Sequence, residues 1–122
     1  MPTFVEMDER LTLSAQIEQT VGPIILINTF KVSEEEAAQL LEAWSADAAW
    51  MKQQPGFIST QLHQGVGGSR VFLNYAVWES CALFKRAFTH PEFRSRLARY
   101  PPSTVASPHL FRKLAIPGIC VA

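Results

Sequence analysis

The chain carries no surplus of charge, few cysteines and no long apolar run. Over its 122 residues eleven basic side chains balance eleven acidic ones, for a formal net charge of zero. Without a basic block there is no electrostatic footprint for nucleic acid or an anionic membrane, and both partners are set aside. Cys81 and Cys120 are the only cysteines. Neither belongs to a C-x-x-C pair and the histidines are isolated, so two reduced thiols and no metal site are expected. No apolar stretch approaches the length of a bilayer span, and Glu6, Asp8, Glu9 and Arg10 stand where a secretory signal needs an apolar run. A soluble, cytoplasmic protein is the expectation. Gly65, Gly67 and Gly68 lie in a hairpin and open no helix, which excludes a dinucleotide-binding glycine motif, and no G-x-S-x-G nucleophile context occurs.

What the chain does have is apolar and aromatic mass. Hydrophobic residues make up 48% of it, with eight Phe, three Trp and two Tyr, and its length suits one domain with a proper core. Pro23–Val32 is β-branched and apolar and reads as a strand. Ser33 followed by Glu34, Glu35 and Glu36 reads as a helix N-cap with acids at the positive end of the dipole. The helix that follows has an apolar stripe of Ala37, Leu40, Leu41, Trp44, Ala48 and Met51, and Pro55-Gly56 stops it. Phe57–His63 alternates as a second strand, with Phe57, Ser59, Gln61 and His63 on one side. A glycine turn leads to a third strand, Arg70–Trp78, which passes with no linker into a helix carrying Phe84, Ala87 and Phe88. His90-Pro91-Glu92 interrupts that helix, and Phe93, Leu97 and Tyr100 continue its apolar face. After a Ser- and Pro-rich loop, Leu110–Ile116 is the expected last strand, ended by Pro117-Gly118.

The order β-α-β-β-α-β is the split βαβ pattern of an α+β, ferredoxin-like fold, two helices on one face of a four-stranded antiparallel sheet. If Asn28 faces the helices, Ile25 and Ile27 face the other way, and a homodimer packed sheet to sheet would bury them. Residues 1–21 read as an N-terminal extension and residues 22–122 as the domain.

Together PIILINTFKV, the QQPGFISTQLH turn and strand, YAVWES and HPEF resemble the antibiotic biosynthesis monooxygenase-like family, over about Gly22 to Ile116. The resemblance implies two ferredoxin-like subunits forming a dimeric α/β barrel, each with a pocket between sheet and helices. Relatives include cofactor-independent oxygenases of polyketide anthrones and hydroquinones, haem-degrading monooxygenases and an isomerase. In haem-degrading relatives an Asn on the first strand, a Trp in the second helix and a haem-ligating His form the site. Asn28 matches the Asn, whereas the other positions fall near Ala87 and Leu97, so haem is not expected and no other cofactor is called for. Family members often have a Glu where this chain has Ala76.

The resemblance and the residues then suggest a monooxygenase acting with O2 on a small aromatic, polyketide-like molecule such as an anthrone or quinol. A non-catalytic ligand-binding or accessory dimer, and a cyclase or isomerase using the same pocket, are the alternatives. Asn28 is either a pocket hydrogen-bond donor or an amide bonded to a nearby loop. Trp78 either offers its indole N–H at the pocket rim or packs in the core. His63, His90 and His109 are candidate general bases because imidazole titrates nearest neutrality. Against this, His63 reads first as a solvated strand end and His90 as a helix cap or surface residue, and His109 needs its loop to fold over the pocket. Strand parity puts Asn74 with Phe72, Ala76 and Trp78, and Trp50, Phe84 and Phe88 would complete the wall.

Overall fold

The computed structural model describes residues 1–122. In chain order its elements are β1 (Thr3–Phe4), α1 (Leu13–Gln16), β2 (Ile24–Lys31), α2 (Ala37–Met51), β3 (Phe57–Gln64), β4 (Val71–Trp78), α3 (Cys81–Phe88), α4 (Pro91–Arg96) and β5 (Val105–Phe111). Short 3-10 turns, Glu34–Glu36 and Leu97–Arg99, precede α2 and extend α4. The sheet runs β1-β5-β2-β4-β3, antiparallel except for the β1–β5 pair. Removing β1 leaves the ferredoxin-like α+β arrangement expected from the sequence.

Alternation along the strands decides what the sheet offers to the helices. On β4 burial alternates without a break, and Phe72, Asn74, Ala76 and Trp78 are the buried set. The register places Trp78 opposite Ile24, Ala76 opposite Leu26, Asn74 opposite Asn28 and Phe72 opposite Phe30. These rows form the floor under α2, α3 and α4. Two apolar clusters stand on it, one around Leu26, Trp78 and Phe84, the other around Phe30, Leu40, Phe93 and Tyr100. Phe88 joins them, its ring 5.3 Å from Phe84 on one side and 5.3 Å from Phe93 on the other. Each fully buried aromatic of this kind contributes roughly 1.5–3 kcal/mol of burial free energy. The opposite sheet face carries Ile25, Ile27, Leu73, Tyr75 and Val77, all left partly or largely exposed.

The last strand lies earlier than its composition suggests. It is Val105–Phe111, and residues 112–122 lie outside it as an exposed tail with one turn bridged from Ile116 to Cys120. Pro108 disguised it. Proline lacks the ladder donor, but the Ala106 carbonyl of the same parity already faces β1, bonding Val5 N at 2.9 Å, so Pro108 turns its missing N–H to the sheet edge just beyond the short β1. In β3 a bulge between Phe57 and Ser59 shifts the phase of the strand. Phe57 therefore faces inward with Thr60 and Leu62, paired with Trp78, Ala76 and Asn74, whereas strict alternation would have put it on the side of His63.

Ser33 does not cap α2 through its side chain. The helix entry is tied instead to the turn after α4: Ser33 N donates to Ser103 Oγ at 3.0 Å and Ser103 N to Glu36 Oε1 at 3.1 Å. Leu41, read as part of the apolar stripe, is 39% exposed, and Ala43 takes the inward position. The first twenty residues are ordered against the β5 edge. At one end β1 pairs with it, and at the other the Gln16 side chain does what a strand would do. Its Nε2 donates to the Leu110 carbonyl at 3.0 Å and its Oε1 accepts from Leu110 N at 2.9 Å.

Candidate functional site

A narrow cavity of about 70 Å³ lies between the sheet floor and the helices. Its walls are mainly apolar, with Phe57, Trp78, Phe84, Phe88 and Phe93 among the aromatics that line it. Four polar side chains interrupt that lining on the floor and roof: Asn28, Asn74, Thr60 and Asp47. In such surroundings each polar atom needs a partner, so those without one mark where a ligand would be held.

The floor is set by strand register. Asn28 on β2 has Asn74 of β4 on one side and Pro108 of β5 on the other. The Thr60 hydroxyl donates to Asn74 Oδ1 at 2.5 Å, which fixes the Asn74 amide. Asn28 has no such help: its Oδ1 is buried and makes no hydrogen bond. The floor thus presents two amides, one held and one unheld.

The roof is set by the helical period of α2. Leu40, Ala43 and Asp47 are its buried residues, and Trp44, Ala48 and Met51 reach the same cavity. Asp47 is 4% exposed, and neither carboxylate oxygen makes a hydrogen bond of good geometry. Burial pushes its carboxyl above the ordinary range, against a smaller opposing pull from the nearby Tyr100 hydroxyl and the Arg96 and Arg99 guanidinium groups. Tyr100, also lining the cavity, is driven up in turn by burial and by the Asp47 charge. Arg96 pairs with Glu92 at 2.9 Å and donates to the Ala46 carbonyl at 3.5 Å through its terminal nitrogens, while its Nε is buried without a partner.

The cavity brings together Asn28, Asn74, Trp78, Phe84 and Phe88. Trp78 is not at the rim. It is 1% exposed, edge-on to Phe57 at 5.5 Å and to Phe84 at 5.6 Å, at the inner end of the cavity. Phe72 is buried beside Phe30 in the neighbouring cluster, and Trp50 packs against both apolar clusters with its ring 5.1 Å from His90, so neither lines the cavity. None of the three histidines lines the cavity. His63 lies on the other sheet face, exposed, within 3.3 Å of the Leu73 carbonyl. His90 caps α4, its Nδ1 accepting from Glu92 N at 3.0 Å. His109 belongs to β5 rather than a loop, pairs with Ile27 on the outward face and contacts Gln16 Nε2 at 3.2 Å.

Asp47 and Thr60 escaped the sequence reading. Asp47 had a signal, since a carboxylate three residues after Trp44 and four before Met51 falls on the buried stripe. Thr60 had none. Pro2 and Phe4 also line the cavity, from an extension without periodicity.

Nowhere in the chain do three His, Cys, Asp or Glu side chains gather as a metal-binding group, and no helix is long and apolar enough to cross a membrane. The residues near the haem-type positions are Ala87, buried in the core, and Leu97, an apolar wall of the cavity.

The family model described as antibiotic biosynthesis monooxygenase matches residues 23–98. Among solved structures, a candidate monooxygenase from Shewanella loihica is 33% identical, covers 80% of this chain and 99% of its own, and superposes with a TM-score of 0.67. SnoaB, a cofactor-independent oxygenase from Streptomyces nogalater, shares the fold at 22% identity, with a TM-score of 0.71 over 80% of this chain and 99% of its own. A candidate antibiotic biosynthesis monooxygenase from Caulobacter crescentus shares it at 21% identity, with a TM-score of 0.69 over 77% and 92%. Among curated proteins none matches significantly.

Proposed function

The chain belongs to the antibiotic biosynthesis monooxygenase family, and on that premise we propose that it is a cofactor-independent monooxygenase oxidising a hydroxylated aromatic, anthrone- or quinol-like, with O2. The observation that carries the reading is the pair of adjacent amides, Asn28 and Asn74, set into the floor of a cavity otherwise walled by aromatic rings. Flat rings pack against Phe57, Phe84, Phe88 and Phe93, while the amides meet the one substrate edge that carries oxygen.

The chemistry asks little of the protein beyond this. A deprotonated anthrone is electron-rich enough to reduce O2 itself. In the overall change a ring CH2 and O2 become C=O and H2O, and the substrate supplies the electrons. The protein orients the ring and stabilises the negative charge on the substrate oxygen, for which amide donors placed in a dry site are suited. Trp78 closes the inner end and fixes the plane of the ring.

Size bears on the proposal. Pockets that hold small organic ligands span roughly 300–1,000 Å³, several times the cavity of about 70 Å³ seen here. Pro2 and Phe4 are the part of the wall that yields most readily, because β1 is only two residues long and holds to β5 through Thr3 N to Thr104 O at 2.8 Å and Val5 N to Ala106 O at 2.9 Å. The proposal also includes a homodimer packed through the outward sheet face, supported by the apolar row of Ile25, Ile27, Leu73, Tyr75 and Val77 left without cover.

The test is O2 uptake with an anthrone and with a hydroquinone, in protein freed of metal and flavin. Quinone formation with a rate about 10²- to 10³-fold lower in Asn28→Ala is expected, with His63→Ala at the wild-type rate. No uptake with either substrate class defeats the oxygenase reading, and an unchanged rate in Asn28→Ala defeats the role given to that amide.

A further inference from the structure

We infer that Asp47 is the proton acceptor of this site, the group that takes the hydroxyl or enol proton of the bound aromatic. The inference rests on the ligand class proposed above and adds the base that the three histidines do not supply. A carboxylate at 4% exposure with two unbonded oxygens is an expensive object in an apolar cavity, and the Tyr100 hydroxyl and the Arg96 and Arg99 charges offset the cost of burial only in part. Arg96 bonds through its terminal nitrogens to Glu92 and to the Ala46 carbonyl, its buried Nε makes no bond to Asp47 or to any other group, and the Tyr100 hydroxyl approaches without forming a well-aligned bond. A structural carboxylate would be tied down. This one faces a cavity whose floor holds a second orphan acceptor, Asn28 Oδ1.

Three acceptor atoms without donors, two on the roof and one on the floor, call for a ligand that brings hydrogen-bond donors. A phenolic or enolic ring does so, and a ligand edged only with acceptors would leave all three atoms unpaired. In the step itself the ligand O–H bond breaks, an O–H bond forms on an Asp47 oxygen, and the electron pair stays on the ligand oxygen. No oxidant enters. The groups facing Asp47 suit this role: Arg96 on α4 and Arg99 in the following turn favour its ionised form, burial opposes it, and the balance lifts its proton affinity toward that of the acid it must deprotonate. Tyr100, held neutral by burial and by Asp47, completes the roof.

The test uses a hydroxyanthraquinone dye, already oxidised and therefore inert to O2, whose absorption reports its ionisation. Because a carboxylate beside the ring hydroxyl disfavours a second negative charge, the dye bound to the wild-type protein should ionise at higher pH than when bound to Asp47→Asn, by about one pH unit or more. With an anthrone, Asp47→Asn should lose about 10²-fold or more in kcat with little change in KM, and Asp47→Glu should recover part of it. The acid limb of the rate profile, lying above the ordinary carboxylate range, should vanish in Asp47→Asn. Folding is a control that runs the other way. Because burial raises the Asp47 carboxyl, its penalty on stability sets in as pH rises through the raised value, so Asp47→Asn should melt higher than wild type above that pH and show no such gain at acid pH. A dye that the wild-type protein does not hold, or that titrates alike in both proteins, overturns the assignment. Asp47-dependent dye ionisation without O2 uptake leaves the proton acceptor standing and removes the oxygenase. O2 uptake unaffected in Asp47→Asn does the reverse.

Discussion

The two faces of β2 are made of nearly the same material. Leu26, Asn28 and Phe30 turn to the helices, while Ile25, Ile27 and Thr29 turn away, and one residue of phase separates them. The inward face tolerates what folding alone would remove, an amide oxygen without a donor opposite an amide held by Thr60, under a carboxylate without a partner. The outward face has apolar side chains at half exposure and, beside Ile27, a single unpartnered buried polar atom, His109 Nδ1. The number of unpartnered buried polar atoms therefore sets the face proposed for chemistry apart from the one proposed for association. Hydrophobicity does not.

The largest effect expected from breaking this comparison is on the inward face. Phe84 is fully buried and contacts Trp78 and Phe88, so Phe84→Ala should cost about 3–5 kcal/mol, read as a shifted urea midpoint at unchanged slope. A loss under 1 kcal/mol would mean that the wall collapses into the cavity. Next comes the outward face. Ile27→Lys should convert a dimer to a monomer in light scattering while the far-UV spectrum and a cooperative melt persist, and a variant that unfolds instead would make this face part of the core. The smallest effect sharpens the floor. Thr60→Val removes the donor to Asn74 and should cost about 1 kcal/mol, with a several-fold fall in kcat and little change in the melting profile of the outer strands. An unchanged kcat would show that Asn74 keeps its orientation unaided.

The architecture was legible because its signals are periodic. The β-branched run before Lys31, the acidic start of α2 and the strand ending in Trp78 each announce an element within a few residues of its bounds. Three features hid the rest. Pro108 made a strand look like a loop, although the side chains around it alternate. The bulge after Phe57 put that ring on the inward side with Thr60 and left His63 outward, a phase change that composition does not carry. The histidines drew notice for their intrinsic chemistry, whereas Asp47 takes its interest from its surroundings: on an exposed helix face the same residue would be an unremarkable acid. Register fixed the place of Asn28 and Asn74, and register was readable from parity.

The Gln16 clamp on Leu110 has a consequence for how copies of this chain meet. A bare strand edge is a template on which another chain can add, and the β5 edge is finished at both ends, by β1 and by one amide side chain. The opposite edge, β3, begins with a bulge and carries Ser59, Gln61 and His63 along its outward side, a kinked and polar border poorly suited to continuous pairing. Growth of the sheet into a fibril-like stack is thus discouraged at both borders. Truncating the first twenty residues would reopen the β5 border, and with it a route to aggregation that the full chain has closed.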